Sequence, residues 1–168
     1  MKFAKILSIL LSSCLLFLSC SKSSLEPENQ FVQIYFKYGF RNELNTFANT
    51  YQKDLVLDGV IKVGFWLTDE EQIRILEKAN EIEFFSLPDT LRYVSQNGNV
   101  AVSMDPDPGE QVLRIKHQWK DKATVWTYPL KEDNDSANAI MELRSFIVSA
   151  IETKPEYKRL PPARGGYL

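Results

Sequence analysis

The sequence predicts an α+β domain, a mostly antiparallel sheet of about five to six strands with two helices packed on one face. Three observations carry this. Short alternating segments are separated by Gly, Asp and Pro punctuation, as antiparallel strands require. Two longer segments repeat their apolar residues at helical spacing instead. Those two stripes need a surface to cover, and one face of a sheet is the simplest that the strands can offer. The expected order is strand, hairpin, helix, two or three strands, helix.

The first strand runs over Phe31 to Tyr38, with Val32, Ile34, Phe36 and Tyr38 on one face, and Gly39 ends it. Next, Thr46–Leu57 and Val60–Leu67 flank Asp58-Gly59, a two-residue hairpin signal. In the second arm Ile61, Val63, Phe65 and Leu67 share a face. The first arm carries Gln52, Lys53 and Asp54 in its middle, so a bulge or an edge position is expected there. Thr68-Asp69-Glu70-Glu71 has the form of a capping box, and a helix is expected over about 69–82 with Ile73, Leu76, Ala79 and Ile82 on its apolar stripe.

Phe84-Phe85-Ser86-Leu87-Pro88 closes that helix and adds apolar bulk. Residues Thr90–Asn99 read ambiguously, Val100–Met104 as a short strand, and Asp105-Pro106-Asp107-Pro108-Gly109 as a rigid loop. Val112–Trp119 and Ala123–Tyr128 form a second hairpin. With its turn at Asp121-Lys122, Trp119 faces Thr124, His117 faces Trp126 and Ile115 faces Tyr128. Asp135 or Ser136 caps the second helix, whose stripe is Ile140, Leu143, Ile147, Ala150 and Ile151, with Pro155 just beyond. The domain is expected to occupy 31–156, and the tail over 157–168, with Pro161, Pro162, Gly165 and Gly166, is expected to be irregular.

What precedes the domain is a leader. Lys2 and Lys5 open it, and Ile6–Leu18 is apolar except for Ser8, Ser12, Ser13 and Cys14. Thirteen residues rise only ~20 Å as a helix, short of the ~30 Å hydrocarbon core, so a secretory signal fits better than a span. Phe17-Leu18-Ser19-Cys20 resembles the lipobox of bacterial lipoproteins, with Leu18 standing where a small residue is more usual. Leu11-Ser12-Ser13-Cys14 fits the pattern locally but would leave a six-residue apolar core, so Cys20 is favoured. Residues 1–19 then form a lipoprotein signal peptide, Cys20 carries the lipid, and the stretch to residue 30 is a polar tether. Both cysteines of the chain lie within the first 20 residues, so the domain cannot form a disulfide. A multiply acylated cysteine anchors stably, at ~0.8 kcal/mol per buried methylene. Ser21 after the cysteine resembles lipoproteins sent to an outer membrane, where the cell has one.

Charge excludes one large class. Removing residues 1–20 takes Lys2 and Lys5 and no acid, leaving 18 basic against 22 acidic residues, a net −4. Nucleic-acid binding, which wants a basic face, is not expected. His117 is the only histidine and is read as a sheet-face residue beside Trp119 and Trp126. A histidine-based metal site needs more ligands, and no nucleophile elbow, phosphate loop or dinucleotide fingerprint is present, so no cofactor or metal is expected. The acidic stretches Asp105–Glu110 and Glu132–Asp135 lack calcium-loop spacing and read as solvated turns and a helix cap. Among the aromatics, Trp119, Trp126 and Tyr128 are assigned to a core face. Trp66 is opposite in parity to Phe65 and Leu67, and with Tyr51 and Lys53 it makes a candidate ligand or partner patch.

The stretches YGFRNELNTFANTYQKDLVLDG, FWLTDEEQIRILEKANEIEFFSLPD and KPEYKRLPPARGGYL, in this order, resemble a group of short bacterial secreted proteins and lipoproteins of unknown function. The resemblance covers about residues 31–168. It implies an anchored envelope location and supplies no catalytic residue. Two readings follow. The first is a lipid-anchored envelope module that binds a partner, reaching the bilayer through acylated Cys20 and an envelope protein through its surface. The alternative is a small envelope hydrolase using paired carboxylates, which requires a cleft with acids of raised pKa.

Overall fold

The computed structural model describes residues 31–92, 107–127 and 135–167. The leader and tether, the strand expected over Val100–Met104, Tyr128 and the acids Glu132 and Asp133 lie outside the described residues. The elements are β1 (Val32–Tyr38), β2 (Asn42–Asn45), β3 (Thr50–Asp54), β4 (Val60–Gly64), α1 (Asp69–Glu81), a 3-10 turn at Phe84–Ser86, β5 (Thr90–Leu91), β6 (Gln111–His117), β7 (Lys120–Trp126), α2 (Asp135–Thr153) and the short α3 (Pro155–Lys158). The fold is α+β, with a seven-stranded sheet in the order β4-β3-β2-β1-β6-β7-β5, antiparallel except where β5 joins β7.

β1 is the centre of the sheet and behaves as its alternation predicts: Val32, Ile34, Phe36 and Tyr38 are all buried on one face. Leu44, Leu113, Ile115 and Trp126 join them from neighbouring strands, and Phe36 stacks between Tyr38 and Trp126. The helices cover this face. α1 starts at Thr68 with the complete capping box: Thr68 Oγ1 accepts the Glu71 amide, and Glu71 Oε2 accepts the Thr68 amide at 2.7 Å. Its most buried residues are Ile75 and Ala79. α2 buries Ala137, Ile140, Leu143, Ile147 and Ile151, each burial worth about 1.5–3 kcal/mol for the larger side chains.

Two expectations are corrected. First, β2 is a strand that the sequence did not announce. Its residues are Asn-Glu-Leu-Asn, and only Leu44 is buried. Flanked by β1 and β3, it draws its stability from two ladders rather than from apolar alternation. Thr46 continues its pairing, donating its amide to Ile34 O at 2.9 Å and accepting the Ile34 amide on Oγ1 at 2.7 Å.

Second, both hairpins differ in register. A two-residue Asp58-Gly59 turn would set Tyr51 opposite Trp66. Here Asp54 pairs with Val60 and Tyr51 with Val63, and the connection spans Leu55–Gly59. This shift of three residues is odd, so it carries Tyr51 to the other face of the sheet. In the β6–β7 hairpin the turn is Gln118-Trp119, not Asp121-Lys122, and His117 lies opposite Lys120. On the outer face of this register Arg114 grips Asp121 with two hydrogen bonds of 2.8 and 2.7 Å. That displacement is even, so Trp126 stays on the core face, while Trp119 moves to the turn tip and is exposed.

Beyond α3 the described tail has no helix or strand, and it packs back on the domain. Pro155 starts α3, as suits a residue with fixed φ and no amide hydrogen. Further on, Arg164 forms a parallel bridge with Val56, and Tyr167 stacks on Phe40 with ring centroids 3.7 Å apart.

Candidate functional site

The expected patch of Tyr51, Lys53 and Trp66 does not assemble. Tyr51 is 1% exposed, in the core, with its hydroxyl 2.7 Å from that of Tyr38. Burial is the main cause that raises both hydroxyls: Tyr38 is pushed up to about 12, and Tyr51 moves in the same direction. Tyr157 packs against Tyr51 at a tilt, and Lys53 Nζ lies 4.5 Å from the Tyr157 ring centroid. Lys53 is therefore a packing partner of α3. Trp66 is exposed, as its parity predicts, and its indole lies flat across Gly64 on the outer face of β4, so close that a side chain on Gly64 would meet the ring. Only the last member of the patch is on the surface.

A cluster that the sequence did not signal lies where β3, the β1–β2 turn and the tail meet. Asp54 Oδ1 accepts Arg41 Nη2 and the Val56 amide, each at 2.9 Å, and Oδ2 accepts the Tyr167 hydroxyl at 2.6 Å. Burial alone would raise this carboxyl, but Tyr167, the Val56 amide and Arg41 together hold it below its usual range. Arg164 adds a two-pronged pair with Asp58, 2.7 Å at its Nε. These partners are separated by up to 126 residues, which is why no local pattern reveals them.

Concavities lined by the described residues lie elsewhere on the domain. A cleft of about 200 Å3 between α1 and α2 is lined by Glu71, Arg74, Phe146, Ser149, Ala150 and Thr153. Beside it Lys154 pairs with Glu71 at 2.8 Å, so the acid is occupied as a cap and as an ion-pair partner. A second, more open hollow of about 380 Å3 has Glu81, Glu83 and Asp135 on its walls. Among the described residues no group of three His, Cys, Asp or Glu side chains could hold a metal ion. His117 ends β6, half-buried, and Nδ1 has no hydrogen-bond partner among the described residues.

The described carboxylates with a displaced pKa are Asp54, Asp58, Glu70 and Asp121, and all four move down. A hydrogen bond from Arg164 lowers Asp58, one from the Glu70 backbone amide lowers Glu70, and one from Arg114 lowers Asp121. That is the direction of acids engaged in structural pairs. A general acid at neutral pH needs the opposite. No described helix is long and apolar enough to cross a membrane. No protein-family model, curated protein or solved structure matches the chain.

Proposed function

We propose that this chain is a membrane-anchored lipoprotein of the bacterial cell envelope that acts as a small binding or interaction module. The observation that carries the reading is the leader, a basic and apolar stretch that ends on Cys20 and is followed at once by the polar Ser21-Lys22-Ser23-Ser24. Acylation explains a cysteine at that position, and export explains the apolar run before it. The lowered carboxyls and shallow concavities favour binding over hydrolysis, since a hydrolase of the paired-carboxylate type needs a raised acid in a cleft.

The test is a crosslinking pull-down of the native protein from intact cells beside Cys20→Ala, with a fatty-acid analogue read on the same samples. The expected result is that Cys20→Ala loses the label, leaves the membrane fraction and no longer captures a discrete envelope protein. A variant that keeps its label and its membrane fraction overturns the anchor.

A further inference from the structure

Seven large apolar side chains are exposed among the described residues, and the register places four of them at one end of the sheet. Phe31, 63% exposed, immediately precedes Val32, and Val32 pairs with His117 at the end of β6. Trp119, 83% exposed, is in the turn two residues beyond His117. Phe47, 36% exposed, is in the turn that follows Asn45, whose neighbour Thr46 pairs with Ile34 near the start of β1. Trp66, 59% exposed, lies just past Gly64, which pairs with Thr50 at the same end. Four aromatic positions thus lie at one end of the sheet, with Phe31 and Trp119 the most exposed, the Trp66 ring folded back over Gly64 and the Phe47 ring under Arg114.

That end is also where the chain arrives from its leader. Only ten residues, 21–30, separate Cys20 from Phe31. Ten residues can reach at most about 35 Å. A lipid on Cys20 therefore holds these rings within a short distance of the bilayer at high effective concentration.

We infer that this end of the sheet rests on the lipid bilayer, with Trp119, Phe31, Phe47 and Trp66 inserted at the headgroup level. The inference rests on the anchored reading above. Trp suits the site because its ring is apolar and its indole N–H stays hydrated at the headgroups. Lys120 Nζ lies 5.6 Å from the Trp119 ring and 5.0 Å from that of Phe85, a cation beside the turn tip. Arg114 sits over Phe47 at 5.1 Å, already paired with Asp121. Asp69, Glu70 and Glu71 follow soon after Trp66, so the charges here are mixed. Aromatic partitioning drives the contact, and it should form on neutral phosphatidylcholine with little dependence on salt.

The test uses the full-length acylated protein in phosphatidylcholine vesicles, with and without bromine on the acyl chains. Bromine quenches the emission of indoles at its depth. Wild-type emission should be quenched, with a large part of the quenching lost in Trp119→Phe and a further part in Trp66→Phe. Both positions are exposed, so neither variant threatens the fold, and buried Trp126 gives the unquenched background. Equal emission in brominated and plain vesicles overturns the inference and leaves these rings to a protein partner. So does quenching that neither variant reduces. The anchor is read separately: if Cys20→Ala keeps its fatty-acid label the anchored reading fails, and the quenching ratio still decides the docking.

Discussion

At one end of the sheet Tyr167 stacks on Phe40 and Arg164 grips Asp58, whereas at the other Trp119 and Phe31 stand in solvent. The two ends have similar raw materials, turns with aromatic rings and nearby charges. They differ in what returns to cover them. The tail folds back over the end where β3 meets β4 and places a hydroxyl on Asp54. Among the described residues no segment folds back over Phe31, Trp66 and Trp119, and Arg114 alone crosses Phe47. The covered end is a network in which one carboxylate satisfies three donors. The uncovered end is held by its turns and by neighbouring strands, as where Asn45 Oδ1 accepts the Ala48 amide at 3.1 Å and Thr46 pairs with Ile34. An aromatic ring is therefore structural or available according to long-range covering, not according to its own neighbours in sequence.

The strongest way to break this contrast is Asp54→Ala. It removes the acceptor shared by the Tyr167 hydroxyl, the Arg41 guanidinium and the Val56 amide, leaving Arg41 only Tyr167 and the Val56 carbonyl, and should cost about 3 kcal/mol, read as a lowered urea midpoint. Trypsin should then cut at Arg164 more readily, while the turn at Trp119 keeps its amide-exchange protection. The same carboxylate makes the covered end acid-sensitive. Its folded pKa lies below the unfolded value, so its contribution is present above about pH 4 and is lost as pH falls through the folded value. Asp54→Asn should flatten that acid limb.

The core between the two ends answers at the opposite extreme. Burial pushes the Tyr38 hydroxyl up to about 12, although the hydrogen bond from Tyr51 lowers it. The neutral form is the folded one, so its contribution is complete below pH 10 and is lost as pH rises toward 12. Tyr38→Phe should remove part of the alkaline unfolding and leave the acid limb as it is. An unchanged alkaline midpoint in that variant would show that Tyr38 is not the group that titrates.

A smaller effect is expected at Val56, which is β-branched yet has φ +61°. The strain is held by the Asp54 carboxylate on its amide and by Arg41 on its carbonyl at 3.0 Å. Val56→Asn should stabilise the domain by up to about 1 kcal/mol, because Asn tolerates the left-handed region. A loss of stability would show that the Val56 side chain contributes more packing than its strain costs.

Much of this was legible in the sequence. β1, the capping box of α1 and the α2 stripe follow from spacing alone, because each buries its own periodic face. The misses have a common origin in pairing. β2 is polar and is a strand only because strands lie on both sides. The first arm of the Asp58-Gly59 hairpin alternates poorly, so its pattern does not fix the face of Tyr51, and a three-residue difference in register exchanges the faces. The correct signal was present in Tyr51 and Lys53, which share parity with each other and pair with Val63 and Ile61, residues that the pattern already placed on the core face. The Asp54 cluster had no local signal at all, since Tyr167 reaches it from the far end of the chain.

The smallest effect sharpens the uncovered end. A Cβ on Gly64 would lie 2.7 Å from the far edge of the Trp66 indole. Nothing in the backbone resists the substitution, since Gly64 is not among the glycines with positive φ. The ring is exposed and can swing clear, so Gly64→Ala should change stability by less than about 0.5 kcal/mol. What changes is the surface, because the indole no longer lies flat on the sheet. Its emission should shift to the red in solution. In vesicles its quenching by brominated lipid should change while that of Trp119 does not. If Gly64→Ala instead destabilises the domain by several kcal/mol, Trp66 is part of the packing of β4, and the uncovered end is smaller by one ring.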